Sequence, residues 1–290
     1  MACQLPYNFG ALPKQFSSYE TSRVVILPVP YDQTTSYLAG TRDGPRAIIT
    51  ASRNLELFDE ELERETYQAG IATLDELIPI ISGPPAMIKV VEEEVDGHLK
   101  AGKFLVMIGG EHSITLGAVR AFKKRYDDLS VLFLDAHADL RDNYQGTPYS
   151  HACVGRRIRE EGVFLIQAGL RSLSKEEADY ISRSGIETYR ARMMMERSSW
   201  VNQLIDALSG RVYLSIDLDI LDPSVMPAVG TPEPGGLSWY QLIDLVRDVA
   251  CRREIVGLDV MELCPQPGDI SPDFLAAKLV YRVLGYSLCP

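Results

Sequence analysis

The chain has 290 residues, of which 46% are hydrophobic, 24% charged and 8% aromatic, a composition ordinary for a globular protein. Its 29 basic and 40 acidic residues give a formal net charge of −11 at pH 7, and a chain this acidic neutralises few phosphates, so no nucleic-acid partner is expected. No apolar run reaches the roughly 18 residues that a membrane span requires, so no membrane partner is expected either.

Short apolar runs rich in valine, isoleucine and leucine alternate along the chain with segments of helical periodicity. The apolar runs are nearly continuous, which predicts strands buried on both faces. In chain order, the predicted strands are 24–29, 104–108, 131–134, 163–167, 212–216 and 255–260. The predicted helices are 44–58, 85–99, 113–126, 175–184, 199–208, 238–252 and 272–284. This alternation predicts a mostly parallel sheet in a single α/β domain that spans residues 1–290.

The five cysteines are widely spaced and form no CxxC pair. An odd number of scattered cysteines indicates neither a disulfide framework nor a thiolate zinc site. The N-terminal segment also lacks the basic start and the apolar core of a signal peptide. These features predict a cytoplasmic protein with free thiols.

Ionisable side chains follow four of the predicted strands. They are His112, Asp135, His137, Asp139, Asp217, Asp219 and Glu262. Residues two apart on an extended chain point to the same side, and parallel sheets bind their ligands at the carboxyl ends of the strands. We therefore expect these side chains to meet at one edge of the sheet.

A cluster of four aspartates needs a cation, because uncompensated carboxylates repel one another strongly. Carboxylates and imidazoles without any thiolate suit Mn²⁺ better than a structural zinc ion. Six such side chains are more than one water-binding ion requires. The cluster therefore predicts two ions that share carboxylate ligands.

Four motifs resemble the signatures of the ureohydrolase family, which contains arginases and agmatinases. They are GGEHS at 109–113, DAHAD at 135–139, SIDLDILDP at 215–223 and GTPEPGG at 230–236. The resemblance runs from about residue 28 to the C-terminus. It implies a three-layer α/β/α fold with a mostly parallel sheet of about eight strands, and a centre of two Mn²⁺ ions per subunit.

The resemblance also implies which residues hold the two ions. The first would be held by His112, Asp135, Asp139 and Asp217. The second would be held by His137, Asp219 and the shared Asp135 and Asp217. Every one of these positions carries the residue type that the family motif requires.

Further residues match roles in guanidine hydrolysis. Glu262 matches the family residue that holds the guanidinium through paired hydrogen bonds. His151 is the candidate carrier of a proton to the leaving amine, because its ordinary pKa lies near 6.5. Asp139 is placed to aim the attacking water as well as to bind metal. Asp142 and Tyr144 are candidate contacts for the cationic end of the substrate.

The loop 140–146 is similar to that of agmatinases and lacks the arginase loop that holds an α-amino acid head group. We therefore predict hydrolysis of agmatine, a small cationic guanidine, to putrescine and urea. The alternatives are another guanidine (aminopropyl-agmatine, guanidinobutyrate or arginine) and a non-catalytic binding protein on the same fold. Zinc deacetylases of related fold use one metal with two aspartates and a histidine, and the complete second ligand set argues against them. The resemblance further implies a homo-oligomer, either a trimer or a hexamer.

Overall fold

The structure is a computed structural model that describes residues 5–196 and 199–288. Its strands are β1 Val24–Val29, β2 Phe58–Asp59, β3 Arg64–Glu65, β4 Ile71–Thr73, β5 Phe104–Gly109, β6 Leu129–Leu134, β7 Phe164–Leu170, β8 Glu187–Arg190, β9 Arg211–Asp217 and β10 Glu254–Met261. Its helices are α1 Lys14–Ser17, α2 Gly44–Ser52, α3 Pro84–Lys100, α4 Thr115–Lys123, α5 Val154–Glu160, α6 Lys175–Ser184, α7 Ala191–Glu196, α8 Trp200–Ala207, α9 Trp239–Ala250 and α10 Ser271–Leu288.

Eight strands form one sheet in the order β4-β1-β5-β10-β9-β6-β7-β8, and all of its pairings are parallel. The strands β2 and β3 form a separate antiparallel pair. Alternate residues of β1 face opposite layers. Val24 and Ile26 belong to the core cluster that includes residues of α2, α8, α9 and α10, whereas Val25 and Leu27 belong to the one formed with α3, α4, α5 and α6. The predicted three-layer α/β/α fold is therefore confirmed. Among the described residues, no helix is both long enough and apolar enough to cross a membrane.

The predicted helix 44–58 is wrong beyond Ser52, where α2 ends. The Ser52 hydroxyl donates to the carbonyl of Ile49 at 2.7 Å, a local bond that competes with helical hydrogen bonding. Phe58 instead begins β2 and is 55% exposed. The apolar spacing across residues 53–58 therefore does not mark a buried helical face.

The sequence does not predict β4, β8 and α5, among other short elements. The two strands have three and four residues and lie at the edges of the sheet, so each pairs on one side only and needs no long apolar run. The helix α5 carries three arginines in seven residues, which obscures its apolar periodicity. Two of its arginines, Arg156 and Arg157, reach Asp142 in the loop 140–146.

A buried ion cluster joins the β2–β3 hairpin to α10. The guanidinium of Arg282, whose side chain is 2% exposed, lies 2.8 Å from the fully buried Asp59 carboxylate and 2.6 Å from Glu60, and it also pairs with Glu61. The Tyr286 hydroxyl donates to Glu61 at 2.9 Å. Because the Asp59 carboxylate is shielded from water, the stability of the folded protein depends on the arginine that pairs with it.

We expect Arg282→Met to lower the free energy of unfolding by about 3–5 kcal/mol, because it leaves a buried carboxylate without its partner. Urea denaturation followed by circular dichroism measures this loss. The matched control is Arg247→Met, which removes a partly exposed partner of Glu61 and should cost less than about 1 kcal/mol. Equal losses in the two variants would contradict the assignment.

Candidate active site

The residues predicted to carry the chemistry lie together at the carboxyl edge of the sheet. They follow β5, β10, β9 and β6, which are neighbours at its centre. The group consists of His112, Asp135, His137, Asp139, Asp217, Asp219 and Glu262. His151 joins it from a short helical turn that precedes α5. The expected meeting of side chains from four strands is what the structure shows.

His112 is fully buried, and its Nδ1 atom faces three carboxylates. The nearest oxygens are Oδ2 of Asp135 at 3.2 Å and Oδ2 of Asp217 at 3.3 Å. Oδ2 of Asp139 follows at 3.8 Å. The ring of Phe133 stacks on the imidazole with centroids 4.3 Å apart, so the plane of the imidazole is fixed.

His137 faces a second set of carboxylates. Its Nδ1 atom lies 2.7 Å from Oδ2 of Asp219 and 3.6 Å from Oδ1 of Asp135. The Asp219 amide donates to Asp217 at 2.9 Å, and the Ala136 amide donates to Asp219 at 2.9 Å. Two groups of ligand atoms could therefore each hold a metal ion, and Asp135 belongs to both.

Burial and mutual repulsion act on the carboxylates of this cluster. Burial, reinforced by neighbouring carboxylates, raises the pKa of Asp139, Asp217 and Asp219. Burial also opposes a charge on His112, but the neighbouring carboxylates of Asp135 and Asp217 raise its pKa well above the ordinary value. A cation between the imidazoles and carboxylates would offset both the burial of the carboxylates and their mutual repulsion.

The backbone at the site is held in uncommon conformations. Asp139 and Glu262 have φ of +51° and +67°, in the left-handed region that non-glycine residues rarely occupy. Gly110 is required for a different reason, since a Cβ atom there would lie 2.1 Å from the carbonyl oxygen of Tyr31. The chain after β5 therefore packs directly against the chain after β1, underneath the site.

Glu262 follows β10 and lines the cavity. Its Oε1 atom accepts the His112 amide at 2.7 Å. Burial, together with the charges of Asp217 and Glu111, raises the pKa of this carboxyl group. A guanidinium placed beside it would supply the missing positive charge.

His151 also lines the cavity. Its amide donates to the Thr34 hydroxyl at 3.0 Å, and its Nδ1 atom lies 3.3 Å from the same oxygen. The Thr34 hydroxyl in turn donates to Glu111 at 2.7 Å. The ring of Tyr144 meets the imidazole edge-on at 6.0 Å. Burial lowers the pKa of His151 to about 4, so the imidazole is neutral near neutral pH.

The cavity has a volume of about 300 Å³. Besides the predicted residues, its lining includes Tyr37, Leu38, Arg141, Glu177 and Thr231. Thr231 lies within the motif at 230–236 and Arg141 within the loop 140–146, whereas the other three carry no motif that identifies them. The cavity is large enough for an extended chain beyond a guanidinium.

Asp142, a predicted substrate contact, is not brought to the cavity lining. Its carboxylate is largely exposed and pairs with Arg157 at 2.8 Å and Arg156 at 3.5 Å, both on α5. The hydrogen bond from Arg157 lowers the pKa of Asp142. Its neighbour Arg141 takes the inward position, with the guanidinium carbon 4.8 Å from the ring centroid of Tyr144.

The fold and the grouped aspartates and histidines define a protein with an arginase-like α/β/α fold. The chain belongs to the arginase family, whose model matches residues 22–285. The predicted resemblance to ureohydrolases is thereby confirmed, as is the enzyme class, a hydrolase of guanidino C–N bonds.

Three similar proteins cover nearly the whole chain. One is an N(1)-aminopropylagmatine ureohydrolase of Synechocystis sp., 40% identical over 97% of this chain and 96% of that protein. Another, with the same name, comes from Thermus thermophilus and is 42% identical over 92% of this chain and 91% of that protein. The solved structure of an agmatine ureohydrolase of Thermoplasma volcanium has a TM-score of 0.88, with 32% identity over 98% of this chain and 94% of that one.

The lowered pKa of His151 makes stability depend on pH. Between about pH 6.5 and about pH 4, the unfolded chain binds a proton at this histidine that the folded chain does not. As pH falls through this range, the wild type should therefore lose about 2–3 kcal/mol of unfolding free energy relative to His151→Gln, when both proteins are free of metal. Urea denaturation at a series of pH values measures it, and a constant difference would contradict the burial of a neutral imidazole.

Proposed function

We propose that the protein hydrolyses N(1)-aminopropylagmatine to urea and spermidine, the amine that remains when the guanidino carbon is removed. The observation that carries the proposal is the name shared by relatives 40% and 42% identical over nearly the whole chain. It reverses the order predicted from the sequence, in which agmatine came first and aminopropyl-agmatine was an alternative. Agmatine remains the second candidate, supported by the agmatine ureohydrolase structure.

We also propose a centre of two Mn²⁺ ions held by the six residues that the motifs predict. The buried atoms His112 Nδ1 and Asp135 Oδ2 make no hydrogen bond, and atoms of this kind need a partner. Their contact at 3.2 Å brings an imidazole nitrogen and a carboxylate together, which suits a manganese ion. Such a centre supplies an activated water as nucleophile near neutral pH.

The residues around the centre have distinct roles in this proposal. Glu262 binds the guanidinium and orients its central carbon, while Asp139 accepts a hydrogen bond from the attacking water. His151 carries the proton that the departing amine needs. The attacking water gives up the proton that the amine receives, and because burial lowers the pKa of His151, a proton that passes to its imidazole is released readily to an amine of much higher pKa. Urea and the free amine then leave through the open side of the cavity.

The cationic tail of the substrate needs an acceptor at the rim. Glu233 lies beside the cluster, although it is not among the residues that line the cavity, and its carboxylate is 3.9 Å from His137 Nε2. Its backbone carbonyl accepts a 2.8 Å hydrogen bond from Arg171, which also donates to the Asp219 carbonyl at 2.6 Å. The loop that carries Glu233 is therefore fixed to the end of β9, and its carboxylate is our candidate for the tail ammonium groups.

We further propose one domain over residues 1–290. It is supported by the eight-stranded sheet, which contains the first strand, β1, the last strand, β10, and every strand between them except β2 and β3. A cytoplasmic location is supported by Cys153, Cys251 and Cys264, which are free; Cys3 and Cys289 lie outside the described residues. A homo-oligomer, trimer or hexamer, remains the proposal that the family resemblance implies.

With Mn²⁺ and a urea-release assay, kcat/KM should be about 10–100-fold higher for aminopropyl-agmatine than for agmatine, because one more charge-assisted hydrogen bond contributes about 1.5–3 kcal/mol. Glu233→Gln should reduce this preference and leave agmatine turnover less affected. Guanidinobutyrate and arginine belong in the same panel, since Arg141 in the lining would favour a carboxylate. A preference for agmatine would make this protein an agmatinase, and a preference for arginine would overturn the proposal.

Metal content should separate shared from unshared ligands. Asp135→Ala and Asp217→Ala should lose most of both ions, whereas Asp219→Ala should retain about one of the two ions per chain, because only the first two carboxylates serve both ions. Mass-spectrometric metal analysis after dialysis gives the counts. Asp142→Ala is the matched control, since that carboxylate pairs with α5 outside the cavity, and it should keep both ions. Equal occupancy in the four variants would refute the ligand assignment.

A further inference from the structure

A buried carboxylate that has no part in the proposed reaction lies beneath the cluster. Asp259 on β10 is completely buried. Its Oδ1 atom accepts the Ser215 hydroxyl at 2.7 Å. Its Oδ2 atom accepts the Tyr213 hydroxyl at 2.8 Å and the Thr115 hydroxyl at 2.9 Å. Three hydroxyl groups from β9 and α4 therefore converge on one carboxylate.

This group is connected to the cluster through Ser215. The Ser215 hydroxyl oxygen lies 2.8 Å from His112 Nε2, and both residues are completely buried. The other nitrogen of His112, Nδ1, faces the carboxylates of Asp135 and Asp217. A continuous chain of short hydrogen bonds thus runs from Asp259 to the back of the imidazole.

The direction of the protons in this chain follows from counting them. A hydroxyl group has one hydrogen to donate, and a carboxylate only accepts. The Ser215 hydrogen therefore goes to Asp259, and the Ser215 oxygen accepts a hydrogen from His112 Nε2. A neutral imidazole carries one N–H, so Nδ1 keeps its lone pair, and a lone pair is what a metal ion requires.

We propose that Asp259 is a positioning residue that acts through Ser215 to keep the proton of His112 on Nε2 and the lone pair of Nδ1 free for a metal ion. The proposal rests on the metal centre proposed above. It extends the common arrangement in which a carboxylate fixes a metal-binding histidine by inserting a serine hydroxyl between the two groups.

The substitution Asp259→Asn reverses the direction of hydrogen-bond donation along this chain and leaves the shape of the side chain almost unchanged. The Tyr213 and Thr115 hydroxyls both need an acceptor, so the amide oxygen takes the position of Oδ2 and the amide nitrogen donates to Ser215. The Ser215 hydrogen then points at His112 Nε2. The imidazole proton is displaced to Nδ1, where it blocks the metal.

Titration of the metal-free protein with Mn²⁺, with the free ion measured by electron paramagnetic resonance, tests the proposal. Asp259→Asn should weaken one of the two manganese sites, the one at His112, by about 10–100-fold. Tyr213→Phe is the matched control, because it removes one hydroxyl from Asp259 and leaves the bond to Ser215 intact; its affinities should stay within about threefold of the wild type. Thermal melting of the metal-free proteins checks that each variant is folded.

A double-mutant cycle decides whether Ser215 transmits the effect. Ser215→Ala should weaken the same site, and adding Asp259→Asn to it should change the affinity by less than about twofold, because the connection is already broken. Additive losses, or wild-type affinity in Asp259→Asn, would overturn the inference while leaving the metal centre in place. If Asp259→Asn does not fold, Ser215→Ala against Tyr213→Phe makes the same comparison, and equal affinities there overturn it. If the wild type itself binds no Mn²⁺, the proposed centre fails as well.

Discussion

Repulsion among buried carboxylates is the constraint on which this structure depends. Asp135, Asp139, Asp217 and Asp219 are each no more than 6% exposed, and only imidazoles compensate them among the described side chains nearby. A flexible scaffold would let such groups move apart. Here, however, they stand at the ends of strands that are paired on both sides and covered by helices on both faces. The protein core thus holds an arrangement that is unfavourable until a cation enters it.

The same constraint explains the unusual backbone and the buried polar groups below the site. Left-handed conformations at Asp139 and Glu262 cost about 1–3 kcal/mol each, and they occur in the segment after β6 and directly after β10. The buried Glu177 carboxylate accepts the Leu140 amide at 3.0 Å and the Ser174 amide at 2.7 Å, which fixes the segment after Asp139. Stability is therefore lost locally and recovered in the surrounding hydrogen bonds and core.

Much of the fold and of the candidate metal cluster follows from the sequence alone, because both depend on short periodic patterns. A spacing of two residues places Asp135, His137 and Asp139 on one side of the chain whatever the topology. The order of the strands is different. Nothing in the local sequence shows that β10 lies between β5 and β9. This position brings Glu262 to the His112 amide and brings Asp259 close to His112 Nε2 through Ser215. Likewise, the sequence predicts Asp142 as a substrate contact, and it does not show that Arg156 and Arg157 of α5 pair with this carboxylate outside the cavity lining.

Substrate choice depends on the parts of the site that periodicity does not encode. In the proposed reaction, the strand ends that carry the motifs fix the chemistry at the guanidinium. In the proposed reaction, the far end of the substrate meets the loops that carry Arg141, Tyr37 and Glu233. The loop of Glu233 is placed by long-range hydrogen bonds from Arg171 to the Asp219 and Glu233 carbonyls. Adjacent loop residues can lie on different sides without disturbing the cluster: Arg141 lines the cavity, whereas the Asp142 side chain is largely exposed to solvent. For this reason a motif identifies the class of reaction, whereas the proposed choice of substrate tail depends on loop residues whose positions are visible only in the three-dimensional structure.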